Sequence, residues 1–560
     1  MVLSLINTNL RSKIENDKYI FVLPPADTNN GLMFTGYACD TRGIEYKLLP
    51  EKAVYIEIDE LPGILSLDDV HRKIFDKIPQ DNETMVGLSA WTQSSPLLYE
   101  MADYLKEQSP DTITVGGGPH FNISSETKND FRQSSLDAFV AGGSQSLLDF
   151  YEGIRDKTII KDGNYFTGEL PDGLYYRSAN AVAGRGYGSF PKIDFNKVSE
   201  MTISIDTVNG VESILSHLPT TNYCPNNCNY CSSPKYDVDD TEFLSGFINQ
   251  TLYDIKSCDD LKGTRNIISF SGNNPFIKEN RKNTEALLSS INFSKGDIIS
   301  FFTDPYLLVG ENYKYLLKTV LQIDAEVAFF IGRDFIGDSA EKCGRRWYGS
   351  VRNNPMREAE GKGVRQFPRD LEKYKKQATV GLSYVLSHYD DASVFRNLYQ
   401  ELIYLAALDQ KLAYVDIEIL VNILTPFPGT RIREENMEQI KPLPFSYYKA
   451  EINLWKDAPL LDHMEKALTI AGLCNDSCTD ERDDKRKESN ILKTASVLYP
   501  YIMRNEVFKP HTRVSDVNIF KRVLSDIGKD LLKLEASDLD FITPDDILGC
   551  LDHDRNFEIC

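Results

Sequence analysis

Three cysteines within eight residues are the part of the sequence whose types and spacing most directly suggest chemistry. Cys224, Cys228 and Cys231 lie in TNYCPNNCNYCSSP, with the spacing Cys-x₃-Cys-x₂-Cys. Proteins use thiols at such spacing for disulfides, zinc or iron–sulfur clusters. A structural zinc ion takes four ligands, and the nearest flanking histidines, His217 and His388, do not supply a zinc motif. Three thiolates favour a four-iron cluster that keeps one iron open to a substrate or cofactor.

The remaining cysteines are too sparse to form a disulfide scaffold. Ten cysteines in 560 residues indicate thiols or metal ligands in a reducing compartment. Cys474 and Cys478 in CNDSC could form a second cluster with Cys550 and Cys560. Their charged flanks, which lack turn glycines, favour surface thiols instead.

The elements that precede the cysteines alternate between strand-like and helix-like segments. Residues 19–25, 85–91 and 111–120 are apolar runs typical of buried parallel strands. The segment 95–108 has apolar residues at helical spacing, and we predict Ser95 as its N-cap with Pro96 at the first helical position. This alternation predicts an α/β fold with a doubly wound, Rossmann-like sheet, whose ligands bind beyond the carboxyl ends of the strands.

Strand and helix signals alternate again around and after the cysteines. The segment SILSHLPTTNY predicts a strand immediately before them, and five later strands lie in residues 266–276, 297–305, 325–332, 378–386 and 415–430. Residues 394–410 predict one of the intervening helices. Such repeated units predict a partial or full α/β barrel, with chemistry at the carboxyl ends of its strands.

These patterns divide the chain into four regions. We predict a Rossmann-like domain over residues 1–165, a connector over 166–210, a barrel over 211–455 and a mostly helical region over 456–560. Residues 336–375 interrupt the barrel pattern and are rich in Arg, Lys, Asn and Gly, which indicates a solvated insertion or a substrate-facing lid.

The composition of the chain limits the kinds of molecule that it is expected to bind. The net charge of −21 argues against general affinity for nucleic acid or anionic membranes. No apolar run is long enough to cross a membrane, and the apolar start of the chain lacks the basic segment and cleavage site of a signal peptide. We therefore expect a cytoplasmic protein.

The segment CPNNCNYC resembles the signature of the radical S-adenosylmethionine (SAM) superfamily. The resemblance implies that Cys224, Cys228 and Cys231 hold a [4Fe–4S] cluster whose fourth iron binds SAM. Reductive cleavage of SAM would give a 5′-deoxyadenosyl radical, so an electron donor such as flavodoxin or ferredoxin is implied. Tyr230 matches the aromatic residue that commonly packs near the SAM adenine.

Other segments resemble the SAM-binding parts of this superfamily. SFSGNNPF resembles the segment after the second barrel strand, and ILTPFPGT resembles the ending of the fifth. VGLSYVL resembles a fourth-strand segment in which Glu commonly stands where this chain has Ser383. The residues implied in SAM binding are Tyr230, Ser271, Gly272, Asn273, Ser383, Thr425, Pro426 and Gly429.

The first domain resembles the cobalamin-binding domain that precedes the barrel in one radical SAM subfamily. The resemblance lies in residues 86–120 and in DAFVAGGSQSLLDF. No Asp-x-His-x-x-Gly motif is present, so His120 is expected as a hydrogen-bonding residue more than as a cobalt ligand. The residues implied in cobalamin binding are Pro25, Ser89, Trp91, Thr92, Gly116, Gly117, Gly118, His120, Gly142, Gly143 and Ser144.

The two resemblances together imply a cobalamin-dependent radical SAM methyltransferase. One SAM would methylate cobalamin, and the radical from another would activate an unreactive carbon of a small-molecule or peptide substrate to accept that methyl group. The same cofactors could instead serve a rearrangement, cyclisation or ring contraction. A cobalamin- or cluster-binding sensor without catalysis is the third alternative.

Overall fold

The structure is a computed structural model that describes residues up to 456, with gaps. The gaps that bear on function are 219–225, 227, 232–264, 271–274 and 441–454. The predicted helical region over 456–560, including Cys474 and Cys478, lies outside the described residues apart from Lys456. The described residues divide into two compact units. The first contains residues 1–204, 230–234 and 425–456, and the second contains most of residues 205–424.

The first unit is built on a mostly parallel sheet that is covered on both faces. Its strands are β1 (Val2–Asn7), β2 (Arg11–Glu15), β3 (Lys18–Leu23), β4 (Tyr46–Leu49), β5 (Val54–Ile58), β6 (Thr84–Ser89), β7 (Ile113–Gly117), β8 (Ala138–Val140), β9 (Ile159–Asp162), β10 (Tyr165–Gly168), β11 (Leu174–Arg177) and β12 (Val182–Ala183). Its helices are α1 (Asn30–Arg42), α2 (Ser95–Gln108), α3 (Ser125–Gln133) and α4 (Gln145–Arg155). The main sheet has the order β12-β11-β8-β7-β6-β1-β4, with parallel pairing from β8 to β4.

Alternate residues of the central strands enter two hydrophobic cores. Leu5 belongs to one core and its neighbour Ile6 to the other. All six residues of β1 are buried. A strand buried on both faces is typical of a doubly wound sheet, because helices cover both sides.

Two sequence predictions for this unit are wrong. Residues 19–25 do not form the first parallel strand, because β3 pairs antiparallel with β2 and β5 in a separate sheet. The parallel strand is β1, in the apolar start of the chain. The N-cap of α2 is Ser94 rather than Ser95, and it makes no side-chain capping bond.

The predicted connector over 166–210 contains part of the first sheet. β11 pairs antiparallel with β8, and β12 pairs with β11. The turn signals in this segment hid strands that gain their hydrogen bonds only from distant partners. The division into four regions otherwise stays a prediction.

The second unit is built on a sheet whose strands follow chain order. The strands are β13 (Ser204–Val208), β14 (Val211–Leu218), β15 (Arg265–Phe270), β16 (Ile298–Thr303), β17 (Glu326–Asp334), β18 (Arg346–Trp347), β19 (Ser350–Val351), β20 (Ala378–Leu386) and β21 (Val415–Ile423). The helices are α5 (Arg281–Ser290), α6 (Gly310–Leu321), α7 (Ser339–Lys342), α8 (Asn354–Lys373) and α9 (Ala392–Asp409). The order is β13-β14-β15-β16-β17-β20-β21, and pairing is parallel from β14 onward. This is the order of the predicted barrel, and the predicted α/β class is confirmed.

The segment predicted as an insertion or lid contains a long helix. α8 occupies residues 354–373 and connects β17 to β20, with Val364, Phe367 and Leu371 buried. These apolar residues have helical spacing, but glycines and Pro368 obscured the pattern.

A buried charge network holds α8 and α9 against the sheet. The Arg333 guanidinium donates to both carboxylate oxygens of Glu401, at 3.1 and 3.2 Å, and the Tyr384 hydroxyl donates to Glu401 at 2.7 Å. Glu360 lies 3.8 Å from Arg333. Burial acts to raise the pKa of Glu401, but Arg333 and Tyr384 outweigh it and lower the pKa. Among the helices described, none is long and apolar enough to span a membrane.

Candidate functional site

The strand order of the first sheet reverses between β1 and β6. The chain passes from β1 to β4 on one side and then to β6 on the other. In open α/β sheets, ligands bind beyond the carboxyl ends of the strands at this switch point. Asn7 ends β1 and Ser89 ends β6, and the two are paired neighbours in the sheet.

Asn7 is the centre of a hydrogen-bond network at this point. It is 1% exposed, and its Nδ2 donates to the carbonyls of Pro24 and Pro25 at 3.2 and 3.4 Å. Its Oδ1 accepts from the side chains of Asn9 and Asn29 at 2.8 and 3.2 Å. The network is uncharged, and it places the predicted Pro25 at the switch point although the strand assigned to it was wrong.

Asn29 links the switch point to the start of α1. As N-cap it accepts from the backbone N–H groups of Gly31 and Leu32, and its Nδ2 donates to Ser89 Oγ at 3.3 Å. Neither Asn7 nor Asn29 was predicted from the sequence. The signal that could have found Asn29 is an Asn directly before a helical segment.

The glycines after β7 allow two loops to approach closely. Gly118 has φ +89°, and a Cβ there would lie 2.7 Å from the carbonyl oxygen of Ala90. The loops are joined by hydrogen bonds from Ala90 N–H to the Gly117 carbonyl and from His120 N–H to the Ala90 carbonyl. Gly116 instead makes room for the ring of Phe121, which would lie 2.5 Å from a Cβ.

Other predicted cobalamin contacts fall in different surroundings. Trp91 is 49% exposed beside this edge. Gly142 and Gly143 lie against the chain's own Gly188, and Gly143 N–H donates to the Gly188 carbonyl at 2.8 Å. Ser144 precedes α4 as its N-cap without a side-chain capping bond. Thr92 lies outside the described residues.

His120 is fully buried and behaves as a structural histidine. Its Nε2 lies 3.0 Å from the Tyr99 hydroxyl. Burial, with a smaller effect from the charge of Arg433, lowers its pKa to about 3, so it is neutral at pH 7. This matches the expected hydrogen-bonding role, and binding to cobalamin stays a prediction.

The segment that follows β21 belongs to the first unit. The Arg433 guanidinium, in α10 (Arg431–Glu435), pairs with both carboxylate oxygens of Glu126 in α3. Asn122 donates to the Pro428 carbonyl at 2.6 Å, and the ring of Phe427 lies 6.4 Å from that of Trp91. The predicted SAM contacts Thr425 and Pro426 are buried in this segment, whereas Gly429 is exposed. Sequence separation of about three hundred residues hid all these pairings.

Asp130 adds a charged group behind this ion pair. Its side chain is mostly buried, and one carboxylate oxygen finds no hydrogen-bond partner among the described residues. Burial and the nearby Glu126 raise its pKa to about 6, although Arg433 acts to lower it.

The cysteine loop follows β14, and its residues up to Asn229 belong to the second unit, whereas Tyr230 and Cys231 belong to the first. Cys224 lies outside the described residues, Cys228 is buried and Cys231 is exposed. Asn226, two residues before Cys228, donates to the buried carboxylate of Asp304 at 3.0 Å. Asp304 directly follows β16, so the end of that strand positions Asn226 in the cysteine loop.

On the other side of Cys228, Asn229 of the same loop contacts Gly344. Asn229 N–H donates to the carbonyl of Gly344 at 3.3 Å. Gly344 has φ +65°, and a Cβ there would lie 2.2 Å from the Asn229 side chain. Tyr230 is half-buried and follows Asn229. Because Cys224 is not described, the three-cysteine set stays a prediction, and the described residues contain no other group of three His, Cys, Asp or Glu that could hold a metal ion.

Ser383, which stands where Glu was expected, lies in β20 and accepts a hydrogen bond from Asn422 Nδ2 in β21 at 3.1 Å. Asn422 was not predicted, and its Oδ1 has no partner among the described residues. Ser271, Gly272 and Asn273 lie outside the described residues.

Comparison with known proteins gives a likeness of fold. No protein-family model and no curated protein matches the chain. Among solved structures, the chain is similar to apo, selenomethionine-labelled OxsB, a cobalamin-dependent S-adenosylmethionine radical enzyme. The TM-score is 0.52 at 13% identity, over 99% of this chain and 83% of that chain. At this identity, the likeness shows a shared α/β fold.

Proposed function

We propose that this chain is a cobalamin-dependent radical SAM enzyme that transfers a methyl group to an unactivated carbon. The observation that carries the proposal is the Cys-x₃-Cys-x₂-Cys loop after β14, the first parallel strand of the second sheet. The likeness of fold to OxsB supports the class of enzyme, and methyl transfer rests on the family resemblance alone.

The cysteine loop has a donor set that suits an open iron–sulfur cluster. Cys224, Cys228 and Cys231 would hold [4Fe–4S], with SAM on the remaining iron. Asp304 holds Asn226, and Gly344 holds Asn229, so the backbone on both sides of Cys228 is fixed before any cofactor binds. Such fixed approaches reduce the ordering that ligand binding would otherwise require.

The edge of the first sheet has chemistry that suits cobalamin. Cobalamin is a large corrin with amide side chains, and this edge is uncharged, with the exposed Trp91 beside loops that the Asn7 network holds in place. At the other predicted turn, Gly142 is exposed and Gly143 is buried, and both lie against Gly188. His120 is fully buried with its Nε2 3.0 Å from the Tyr99 hydroxyl, which agrees with a hydrogen-bonding residue more than with a cobalt ligand.

The bound cofactors would supply the 5′-deoxyadenosyl radical and the methyl group. The chain's own residues would bind and orient them. Ser383 and Asn422 would provide the polar contacts to SAM that a Glu would otherwise make. A small-molecule or peptide substrate, a one-electron donor such as flavodoxin or ferredoxin and a cytoplasmic location complete the proposal.

Product analysis tests the reaction. The full chain, reconstituted without oxygen with iron, sulfide and cobalamin, is incubated with SAM, reductant and candidate substrates. Methyl transfer requires both S-adenosylhomocysteine and 5′-deoxyadenosine. Deoxyadenosine alone would favour a rearrangement, and neither product under any condition would favour a sensor. Cys228→Ala should form no deoxyadenosine, whereas Cys39→Ala, a buried cysteine of the first unit, should retain the reaction.

A further inference from the structure

A polar cavity lies at the edge of the first sheet opposite the switch point. Its volume is about 600 Å³, and it opens beside the amino ends of β7 and β8. Its lining consists of Lys106, Pro110, Asp111, Ser134, Ser135, Leu136, Asp137, Lys161, Gly163 and Arg177. Nothing in the proposed reaction uses this cavity.

Two lysines of the cavity share one buried carboxylate. Asp137 is 6% exposed and accepts from Lys106 Nζ at 2.6 Å and from Lys161 Nζ at 2.9 Å. It also accepts from the backbone N–H of Thr114 at 2.9 Å. Burial lowers the pKa of Lys106, and the neighbouring Lys161 ammonium lowers it further, although Asp137 opposes both effects.

The three cationic side chains of the cavity differ in how many hydrogen-bond acceptors the protein provides for them. Lys106 has the carbonyls of Pro110 and Thr112 in addition to Asp137. The terminal nitrogens of Arg177 donate to backbone carbonyls around the end of α3, including those of Phe131 and Arg132. Among the described residues, Lys161 has Asp137 alone, which leaves two of its three N–H groups available.

The charge of the lining also favours an anion. Three cationic side chains face the cavity against the buried Asp137 and the exposed Asp111. This is an excess of positive charge in a chain whose net charge is −21. The Ser135 hydroxyl, also in the lining, has no side-chain hydrogen bond within the described residues, and it can donate to an oxyanion.

We propose that this cavity binds a small phosphate-bearing anion, with the Lys161 ammonium and the Ser135 hydroxyl as its direct donors. Arg177 and Lys106 supply the surrounding positive field. The volume exceeds that of one phosphate group, so a phosphate monoester fits as well as the inorganic ion. The site is distinct from the switch point, because it lies at the opposite ends of the same strands.

Titration of the full chain with inorganic phosphate tests the proposal, at ionic strength matched with chloride. Saturable binding by isothermal calorimetry is expected for the unaltered chain, and Lys161→Gln should weaken it at least about tenfold. Lys161→Arg should retain binding because it keeps the charge. Lys47→Gln, which removes an exposed lysine of β4, is the matched control and should bind as the unaltered chain does.

Two results would overturn the proposal. One is the lack of saturable phosphate binding by the unaltered chain. The other is that Lys161→Gln binds phosphate as tightly as the unaltered chain, which would mean that the two lysines have a structural role only. If Lys161→Gln does not give a folded chain by circular dichroism, Ser135→Ala makes the same comparison, with binding expected to weaken several-fold. The titration needs no cluster, SAM or cobalamin, so its outcome is independent of the proposed enzyme activity.

Discussion

The switch point of the first sheet and the core of the second unit stabilise their buried polar groups in different ways. At the switch point of the first sheet, neutral amides bond to one another around Asn7. In the second unit, charged groups make the hydrogen bonds. The Asp304 carboxylate accepts a hydrogen bond from Asn226 in the cysteine loop, and Arg333 pairs with Glu401 between the sheet and α9. A buried charge that loses its partner costs several times more than a neutral amide that does. Loss of one partner should therefore cost more in the Arg333–Glu401 network than in the amide network around Asn7. The first unit also contains buried charges, in the Arg433–Glu126 pair and at Asp137.

The largest effect is expected where a buried charge loses its partner. Glu401→Ala leaves Arg333 with the more distant Glu360 as its acidic partner among the described residues, and should lower the free energy of unfolding of the second unit by about 3–5 kcal/mol. Urea denaturation followed by tryptophan fluorescence or circular dichroism measures the change. Glu401→Gln, which keeps the shape and an acceptor for Tyr384, should lose less. Small and equal losses of unfolding free energy in Glu401→Ala and Glu401→Gln would show that this network does not stabilise the unit.

A somewhat smaller effect is expected at the cysteine loop. Asp304→Ala removes the acceptor of the Asn226 amide and the side chain that caps the turn at residues 305–308. The expected loss is about 3 kcal/mol, from an unpaired buried amide and a lost cap. Iron content after reconstitution should fall severalfold while cobalamin binding persists. Asp304→Asn keeps one of the two acceptor oxygens that Asn226 and Tyr306 use, so it should lose less stability and iron than Asp304→Ala. Full iron loading of Asp304→Ala would separate this contact from the cluster site.

The neutral edge should respond more weakly. Asn7→Ala breaks the bonds to Asn9 and Asn29, and should cost about 1–2 kcal/mol of stability together with part of the affinity for cobalamin. Thr41→Ala, a hydroxyl on α1 that donates to the Tyr37 carbonyl away from the switch point, is a control for cobalamin affinity. Cobalamin binding unchanged in Asn7→Ala would place the cofactor elsewhere on the unit.

The smallest effect concerns pH and Asp130. Its pKa is about 6 when folded and near 3.8 when unfolded, so the folded state binds more protons between these values. Its contribution to stability is therefore lost as pH rises from about 4 through 6. His120 acts in the opposite direction, because its folded pKa of about 3 makes stability fall as pH drops below 6.5.

The contribution of Asp130 is isolated by the difference in unfolding free energy between Asp130→Asn and the unaltered chain. Asp130→Asn is neutral at every pH, so it should be more stable than the unaltered chain at pH 7, with a smaller advantage at pH 5. Chemical denaturation at both pH values measures this difference. A constant advantage would mean that Asp130 does not titrate in this range.

Local patterns predicted much of both sheets from the sequence. β20 has its predicted bounds, and α2 covers the predicted residues 95–108, because their apolar periodicity agrees with their final burial. β1 was missed because a six-residue apolar run at the chain start gives no periodic signal of its own. The prolines after residue 23 made β3 look like a central strand, but strand pairing depends on partners that periodicity does not show.

The candidate site was predictable only where chemistry is local. Cysteine spacing predicts Cys224, Cys228 and Cys231 as cluster ligands, which stays a prediction, and glycines marked the loop at Gly117 and Gly118. Asn7 and Asn422 were missed, since their partners lie on other strands or helices. The pair of Arg433 with Glu126 joins residues far apart in sequence, and no local pattern marks either member.

The most direct test of the central claim is the iron and cobalamin content of two chains reconstituted together without oxygen. The unaltered chain should contain about four irons per chain and bound cobalamin. Cys228→Ala should lose the iron and keep the cobalamin, because Cys228 lies in the second unit and cobalamin is proposed at the switch point of the first sheet. Iron retained by Cys228→Ala, or no cobalamin bound by the unaltered chain, would contradict the proposed function.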